Sequence, residues 1–599
     1  MNHDLKQNTN LVIKRTRLFW GVLIAVVVIF GLRLFYVQII HYGHYRAEAL
    51  SNQLEQYKIP ATRGIIEAHE GNSIVPIVLN QQLYTLYVDP TLVKKPTKDA
   101  KAIAKIIGGS ANHYQKQLQT KHTRYVVIKN KLTAAQSKKI LSYKFSGIGT
   151  KGQDYRAYPG GSLASQVLGF VNDKGRGEYG LEQALNKQLS GTSGQLKALT
   201  DANGVPLVAS PGNIDTKPVA GDNVVTTLNM GMQAQMEQIL KQDYKSTKSN
   251  GLSALIMDPN NGQIKAMANY PTYNPANYDQ VSNAKLFQNA AVGNPIEPGS
   301  SMKTLTTSAA LNLGAITPDE SFYDPAHWII DGFNITDIQQ DGGPRQQSVA
   351  STLALSLNTG ATWMLMQMSQ KGATQASQIN QKGMTAWHNY MVNHFRLGQP
   401  TGVEQGYEAG GYVPPPTPNT AGQHLKYANT AFGQGVTVTA LQEAAALSSV
   451  LNGGTYYKPT LVDKTITPFG KTMINQPRVE AKNVFKPKVG QELIPLMQNV
   501  INTYHKEGFG YLKFPSNYMV GGKTGTAQVA SPSGGYYKNI YNGTYVGFVG
   551  GNKPQYVIEI FNIKPNLPSY EYAGSYAAQP VFSDLAHMLI DDGYAQPKS

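Results

Sequence analysis

Glu297-Pro298-Gly299-Ser300-Ser301-Met302-Lys303-Thr304-Leu305 reads as a turn entering a helix. Pro298 and Gly299 make the turn and deliver Ser300 to the first helical turn. The spacing predicts a helix to about Leu313, stopped by Gly314, with Met302, Leu305, Ala309 and Leu313 along one buried stripe. Ser300 and Lys303 are three residues apart and share the neighbouring face. The hydroxyl then lies over free backbone N–H groups at the positive end of the helix dipole. The lysine amine is placed to take its proton if burial or a neighbouring cation favours the neutral form. That combination is an activated nucleophile without a histidine. Ser-x-x-Lys alone is common by chance, so its weight depends on what stands elsewhere.

Two further segments bear on it. Short helical stretches are predicted over 348–355 and from Thr359 to Met368, with Ser356-Leu357-Asn358 between them. A hydroxyl and an amide two residues apart on a tight loop can both face one cleft, the first relaying a proton, the second holding a carbonyl or the lysine. Such residues also cap turns. Val520-Gly-Gly-Lys523-Thr524-Gly525-Thr526-Ala-Gln-Val529 reads as a strand whose small residues let a ligand approach the backbone. Lys523, Thr524 and Thr526 offer a cation and two hydroxyls, a cradle for a terminal carboxylate. A phosphate loop is excluded: Asn517 stands where its first glycine belongs, and a strand follows. Residues 544–549 and 555–561 read as an antiparallel pair continuing that sheet.

Around this centre the chain reads as a mixed α/β (α+β) protein of several domains, since 599 residues exceed one core. With no cysteine, disulfides, thiolate metal sites and thiol nucleophiles are closed. The net charge of +16 favours an anionic partner. No compact basic run with interleaved aromatics is present, which makes nucleic acid the weaker option. Lys14, Arg15 and Arg17 precede an apolar run over 18–40 broken by Arg33, long enough to cross a bilayer. The positive-inside bias puts residues 1–17 in the cytoplasm and the rest outside. Ala47-Glu48-Ala49 has the small-x-small form of a cleavage site, but Arg33, His41, His44 and Arg46 separate it from the apolar run, which favours an uncleaved anchor.

Residues 41–215 read as a spacer of short strands and helices, with a strand at Tyr84–Val88 and a lysine-rich helical piece over 97–142. A Gly/Pro/Asp/Asn-rich boundary covers 202–223, and a more regular domain follows over 216–599. There Val224–Leu228 is a strand, 230–244 a helix, and Asp258-Pro-Asn-Asn-Gly262 turns a hairpin. The proline-rich 412–420 is a loop.

Ser300-x-x-Lys303, Ser356-x-Asn358 and Lys523-Thr524-Gly525, in that order, resemble the class B penicillin-binding proteins, bacterial peptidoglycan transpeptidases. Ala266-Met-Ala-Asn-Tyr-Pro271, Asn289-Ala-Ala-Val292 and Phe432-Gly-Gln-Gly435 with Thr439 and Gln442 extend the likeness from about Gly221 to about 585. Arg63-Gly64, Tyr158-Pro159 and Gly177-x-x-Gly180-x-Glu182 resemble that family's pedestal, or dimerisation-type, domain, although the acidic residue usual after Arg-Gly is missing. The resemblance implies an antiparallel sheet flanked by helices and an all-α subdomain. It implies that Ser300 attacks the D-Ala-D-Ala carbonyl of a stem peptide while Lys303 accepts the proton. Backbone N–H groups of Ser300 and Thr526 would form the oxyanion hole. Ser356 and Lys523 would pass the proton to D-alanine, and Thr524 and Thr526 would hold its carboxylate. No metal or organic cofactor is implied. β-Lactams would acylate the same serine, and a membrane glycosyltransferase and other division or elongation proteins would be partners. A D,D-carboxypeptidase or β-lactamase, or a catalytically weak or inactive scaffold, are the other readings.

Overall fold

The computed structural model describes residues 3–45, 54–199, 214–337, 344–418, 421–567 and 572–599. Ala47-Glu48-Ala49, residues 202–213 of the expected boundary and 419–420 of the proline-rich loop lie outside them. The chain forms two compact units, one of Met1–Thr62 with Gly191–Ala220, the other of Arg63–Ser190 with Gly221–Ser599.

In the first unit a helix over His3–Phe35 runs on through a π-turn, Tyr36–Ile40. Ile13–Ile40 is long and apolar enough to cross a membrane, and Leu18, Trp20, Ile29 and Phe30 are all exposed. The Arg33 guanidinium lies 5.6 Å from the Tyr36 ring centre, one way of bringing its charge to an interface. Leu54–Ile59, Gly194–Leu199 and Ile214–Thr216 form a separate antiparallel sheet.

The second unit contains two larger sheets. The first takes most of its strands from the start of the unit and two from far along it: β1 (Ile66–Glu70), β2 (Ser73–Val88), β3 (Val126–Leu132), β4 (Ile148–Ala157), β5 (Asn223–Asn229), and the later β8 (Val462–Ile466) and β9 (Thr472–Ile474). Its order is β9-β8-β5-β1-β2-β3, with β4 also pairing with β2. β5, the strand expected at 224–228, runs parallel to β1 in this sheet. The lysine-rich stretch is not one helical piece. Helices α1 (Pro96–Ile107), α2 (Ala111–Leu118) and α3 (Ala134–Ser142) are interrupted by β3, whose Val126-Val127-Ile128 is β-branched.

Three motifs far apart in the chain meet at one carboxylate. The fully buried Glu182 carboxylate accepts from Arg63 Nε and Arg156 Nε, each at 2.7 Å, and Arg63 Nη1 donates to Asn186 Oδ1 at 2.9 Å. Burial tends to push the Arg63 pKa down, and the Glu182 charge opposes that.

The second sheet has the order β7-β6-β12-β11-β10: β6 (Gly251–Met257), β7 (Ile264–Tyr270), β10 (Met519–Ala530), β11 (Tyr536–Gly550) and β12 (Pro554–Ile563). All pairs are antiparallel, and the hairpin at Asp258–Gly262 is as read from the sequence. Both faces are covered, so β6 reads as a continuous apolar run rather than an alternation. Ala254 and Ile256 pack with Met236 of α4 (Met230–Thr247) and Phe582 of α9 (Gln579–Asp591). Leu255 and Met257 face the opposite core, with Met302 and Leu305 of α5 (Met302–Leu313). That core holds α6 (Asn358–Ser369), α7 (Ala440–Leu451) and part of α8 (Pro487–Lys506). α5 is buried on every face from Met302 to Leu311, not along one stripe, because it lies between sheet and helices. Leu313 is the exception, exposed beside the Gly314 stop (φ 66°).

Candidate active site

Gly299–Ser301 is a 3₁₀ turn leading straight into α5. Gly299 takes φ +62°, and a Cβ there would stand 2.5 Å from Thr526 O, so only glycine fits between the turn and β10. Gly525 faces the turn from the other side: its Cβ would stand 2.3 Å from Pro298 O. The turn is also held by Gly299 N donating to Gly433 O at 3.0 Å, and by Glu297 Oε1 accepting from Gly435 N and the Tyr536 hydroxyl, each at 2.9 Å. Burial pushes the Glu297 carboxyl up while these donors oppose it. Ser300 is left half-buried, whereas Ser301 is fully buried and donates to Pro298 O at 3.0 Å.

The first two motifs meet at one nitrogen. Lys303 Nζ, on a fully buried side chain, lies 2.9 Å from Ser300 Oγ, 2.9 Å from Asn358 Oδ1, 2.5 Å from Ser356 O and 3.3 Å from Ser356 Oγ. Ser356 has φ +60°, a left-handed backbone that L-residues adopt at a cost and that here turns its carbonyl onto the lysine.

The third motif lies on β10. Lys523 is fully buried, and its Nζ donates to Thr524 O at 3.1 Å and Thr524 Oγ1 at 3.2 Å. Thr524 Oγ1 is also 3.3 Å from the Tyr504 hydroxyl. Thr526 is half-buried, and its Oγ1 accepts from Gly574 N at 3.0 Å, which leaves its own hydrogen free to donate. Gly525 gives the backbone contact with the serine turn. Ser300, Lys303, Ser356 and Asn358 are thus joined by hydrogen bonds, and Lys523, Thr524, Gly525 and Thr526 are joined to them through the strand against the turn. Among the described residues no cluster of His, Cys, Asp or Glu is arranged to hold a metal ion.

Supporting residues escaped the sequence reading. Asp337 Oδ1 accepts from Asn358 N at 2.5 Å and Thr359 N at 3.1 Å, capping α6 from a distant loop. Its Oδ2 accepts from Thr359 Oγ1 at 2.7 Å, and the same hydroxyl oxygen is 2.9 Å from Asp324 Oδ2. One hydroxyl hydrogen cannot serve two carboxylates. Burial pushes the Asp324 pKa up, while hydrogen bonds from Ala326 N and the Thr359 hydroxyl oppose it. Behind Ser301, Glu443 and Glu559 are both fully buried, and neither carboxyl is paired with a cation among the described residues. Burial pushes Glu443 up to about 7, with the Ser301 hydroxyl opposing, and pushes Glu559 well up, reinforced by Glu443.

Comparison with known proteins places the chain by family and fold. The family described as penicillin binding protein transpeptidase domain matches residues 252–587, and that described as penicillin-binding protein dimerisation domain matches 58–226. Stage V sporulation protein D of Bacillus subtilis is 29% identical over 592 residues, covering 98% of this chain and 87% of its own. Peptidoglycan D,D-transpeptidase FtsI of Escherichia coli is 23% identical over 591 residues, covering 97% and 92%. The crystal structure of penicillin-binding protein 2X from Streptococcus thermophilus superposes with a TM-score of 0.69 at 23% identity, over 91% of this chain and 83% of that one. Penicillin-binding protein 3 of Mycobacterium tuberculosis, complexed with aztreonam, gives 0.66 at 24% identity, over 91% and 98%.

Proposed function

The chain belongs to the penicillin-binding protein transpeptidases, and from that premise we propose how its own residues perform serine D,D-transpeptidation of peptidoglycan stem peptides. The observation that carries the mechanism is the set of neighbours around Lys303 Nζ. Ser356 O and Asn358 Oδ1 can only accept, so they take two of the amine hydrogens. Ser300 Oγ lies within hydrogen-bond distance of the same nitrogen, meeting a lone pair when the amine is neutral and an N–H when it is charged. Lys303 is therefore the general base.

Ser300 Oγ attacks the carbonyl of the D-Ala-D-Ala bond as its proton moves to Lys303. The new oxyanion is met by backbone N–H groups of Ser300 and Thr526. Ser356 Oγ, 3.3 Å from Lys303 Nζ, and Lys523 pass the proton towards the leaving nitrogen. The C–N bond breaks, D-alanine departs, and an ester to Ser300 remains. Thr524 and Thr526 hydroxyls, beside the backbone of Gly525, hold the substrate carboxylate. An amine from a second stem attacks the ester, re-forms an amide as the cross-link and returns the proton to Ser300. A β-lactam enters by the same route and stays on the serine.

The regular domain over 216–599 carries this chemistry and 41–215 acts as pedestal. Lys14, Arg15 and Arg17 hold the N-terminus in the cytoplasm of a bacterium, with the helix crossing once and the catalytic domain outside. A membrane glycosyltransferase and other division or elongation proteins are the expected partners, and no cofactor is needed. Incubating the detergent-solubilised chain with a labelled penicillin should give a stable mass shift on Ser300 that Ser300→Ala abolishes. Absence of any adduct would turn the reading to a scaffold, and rapid turnover of the drug to a hydrolase.

A further inference from the structure

Residues 91–144 contain twelve lysines and one arginine against a single acid, Asp99. This span supplies most of the charge excess of a chain whose total is only +16. The segment folds as a lobe with its own core, in which Leu86 and Val88 of β2 pack with Ala100, Ile103 and Ile107 of α1, Leu118 of α2, Ile128 of β3 and Ile140 of α3. The apolar side of α1 is thus committed inward, while Leu141 of α3 stands exposed. Asp99 is buried too. Outside stand Lys98, Lys101 and Lys105 along one line of α1, with Lys116 on α2 and Lys138 and Lys139 on α3, all exposed. Consecutive members of the α1 line are about 4.5 and about 6 Å apart along the axis, from a rise of about 1.5 Å per residue. Among the described residues the one ion pair this segment makes joins Arg124 to Asp89.

We propose that this lobe is a binding surface for a flexible polyanion with repeated phosphate charges, on the wall side of the membrane. The side of the membrane rests on the topology given above; the polyanion binding itself does not. Three features select this partner. Specific protein interfaces are depleted of lysine and centred on buried apolar and aromatic anchors. Here the outer line of α1 is lysine alone. A lipid surface would be gripped by an amphipathic helix inserting its apolar side, and the apolar side of α1 is already spent on the lobe core. The cations also reach the other face of the sheet. Thr150 Oγ1 bonds Ser137 of α3 at 2.7 Å, so the exposed Lys151, next along β4, points away from the helices. A chain that can wrap meets both faces, whereas a plane meets one. Binding of this kind is multivalent, driven by counterion release and independent of sequence.

The test uses the full chain in detergent with sodium polyphosphate as the probe, titrated over a range of salt. Polyphosphate should bind more tightly than phosphatidylglycerol vesicles or poly-glutamate at equal charge concentration. Lys98→Glu/Lys101→Glu/Lys105→Glu should weaken binding by about tenfold or more and flatten the salt slope by about 2, as three contacts are lost. Lys138→Gln/Lys139→Gln should give a smaller loss in the same direction. Lys471→Glu/Lys553→Glu, which removes exposed charge outside the lobe, should leave binding within about twofold. Labelled-penicillin acylation should be unchanged in every variant, so a dead active site and a failed binding surface are told apart. Equal loss in the Lys471/Lys553 variant, no loss in either lobe variant, or tighter binding to vesicles or poly-glutamate would overturn the proposal.

Discussion

Asn358 Oδ1 stands 2.9 Å from Lys303 Nζ, so the side chain after the strained Ser356 turn decides which way the amine of the first motif points. Asn358→Asp keeps the shape and places a negative charge at that distance. The ammonium form is then favoured by Coulomb attraction in a buried setting. Acylation by a labelled penicillin at neutral pH should fall about tenfold or more, and its rise with pH should move to higher pH. An unchanged pH profile would remove Asn358 from control of the base.

Asp337 gives the prediction for the supporting layer. Asp337→Ala removes the acceptor of the Asn358 and Thr359 N–H groups, a capping loss worth about 1–2 kcal/mol. Acylation should drop by more than that destabilisation accounts for, because Asn358 loses its backbone anchor. Stability by chemical denaturation and acylation rate, measured on the same sample, separate the two effects.

The Glu443–Glu559 pair makes stability depend on pH with a definite sign. Folding raises the Glu443 pKa from the ordinary 4.5 to about 7, so the protonated form is favoured in the native state. Stability is therefore fully present below about pH 4.5 and is lost as pH rises to about 7. Full ionisation of this one buried carboxyl costs on the order of 3 kcal/mol at about 1.4 kcal/mol per unit. The melting temperature should fall between pH 5 and pH 8, and Glu443→Gln should flatten that fall and raise the value at pH 8. A wild-type melting temperature flat across this range would contradict it.

Glu182 serves two arginines at once. Glu182→Ala leaves Arg63 and Arg156 buried without their carboxylate, a loss of about 3–5 kcal/mol for breaking a buried pair. Hydrogen exchange should rise across β1 and β4 first. Ser300 in the molecules that remain folded should acylate at the wild-type rate, since no reacting group is touched.

What was legible in the sequence was encoded locally. The Pro298-Gly299 turn, the hairpin at Asp258–Gly262 and the small residues around Lys523 each depend on contiguous residues, and each element stands where it was expected. β3 was hidden because Lys129 and Lys131 on its exposed and half-buried positions look like the lysines of the helices beside it. The Asp337 cap could not be seen, since it lies 21 residues before Asn358 and meets it only through the tertiary fold. Glu443 was lost in an apolar helix, where burial and not spacing gives it significance. The full burial of α5 was missed for a similar reason: Thr304, Thr306, Thr307 and Ser308 satisfy their hydroxyls on backbone carbonyls and so count as interior residues.

β5 ends at Asn229 and α4 begins at Met230, with the Asn229 side chain accepting from Met232 N at 3.1 Å to lock the junction. The strand is hydrogen-bonded into one sheet while the helix packs on the other, so there is no slack between them. A pull or twist applied to the pedestal sheet reaches the reaction centre as through a welded bracket rather than a swivel, and the aim of the cleft is set by whatever grips the base.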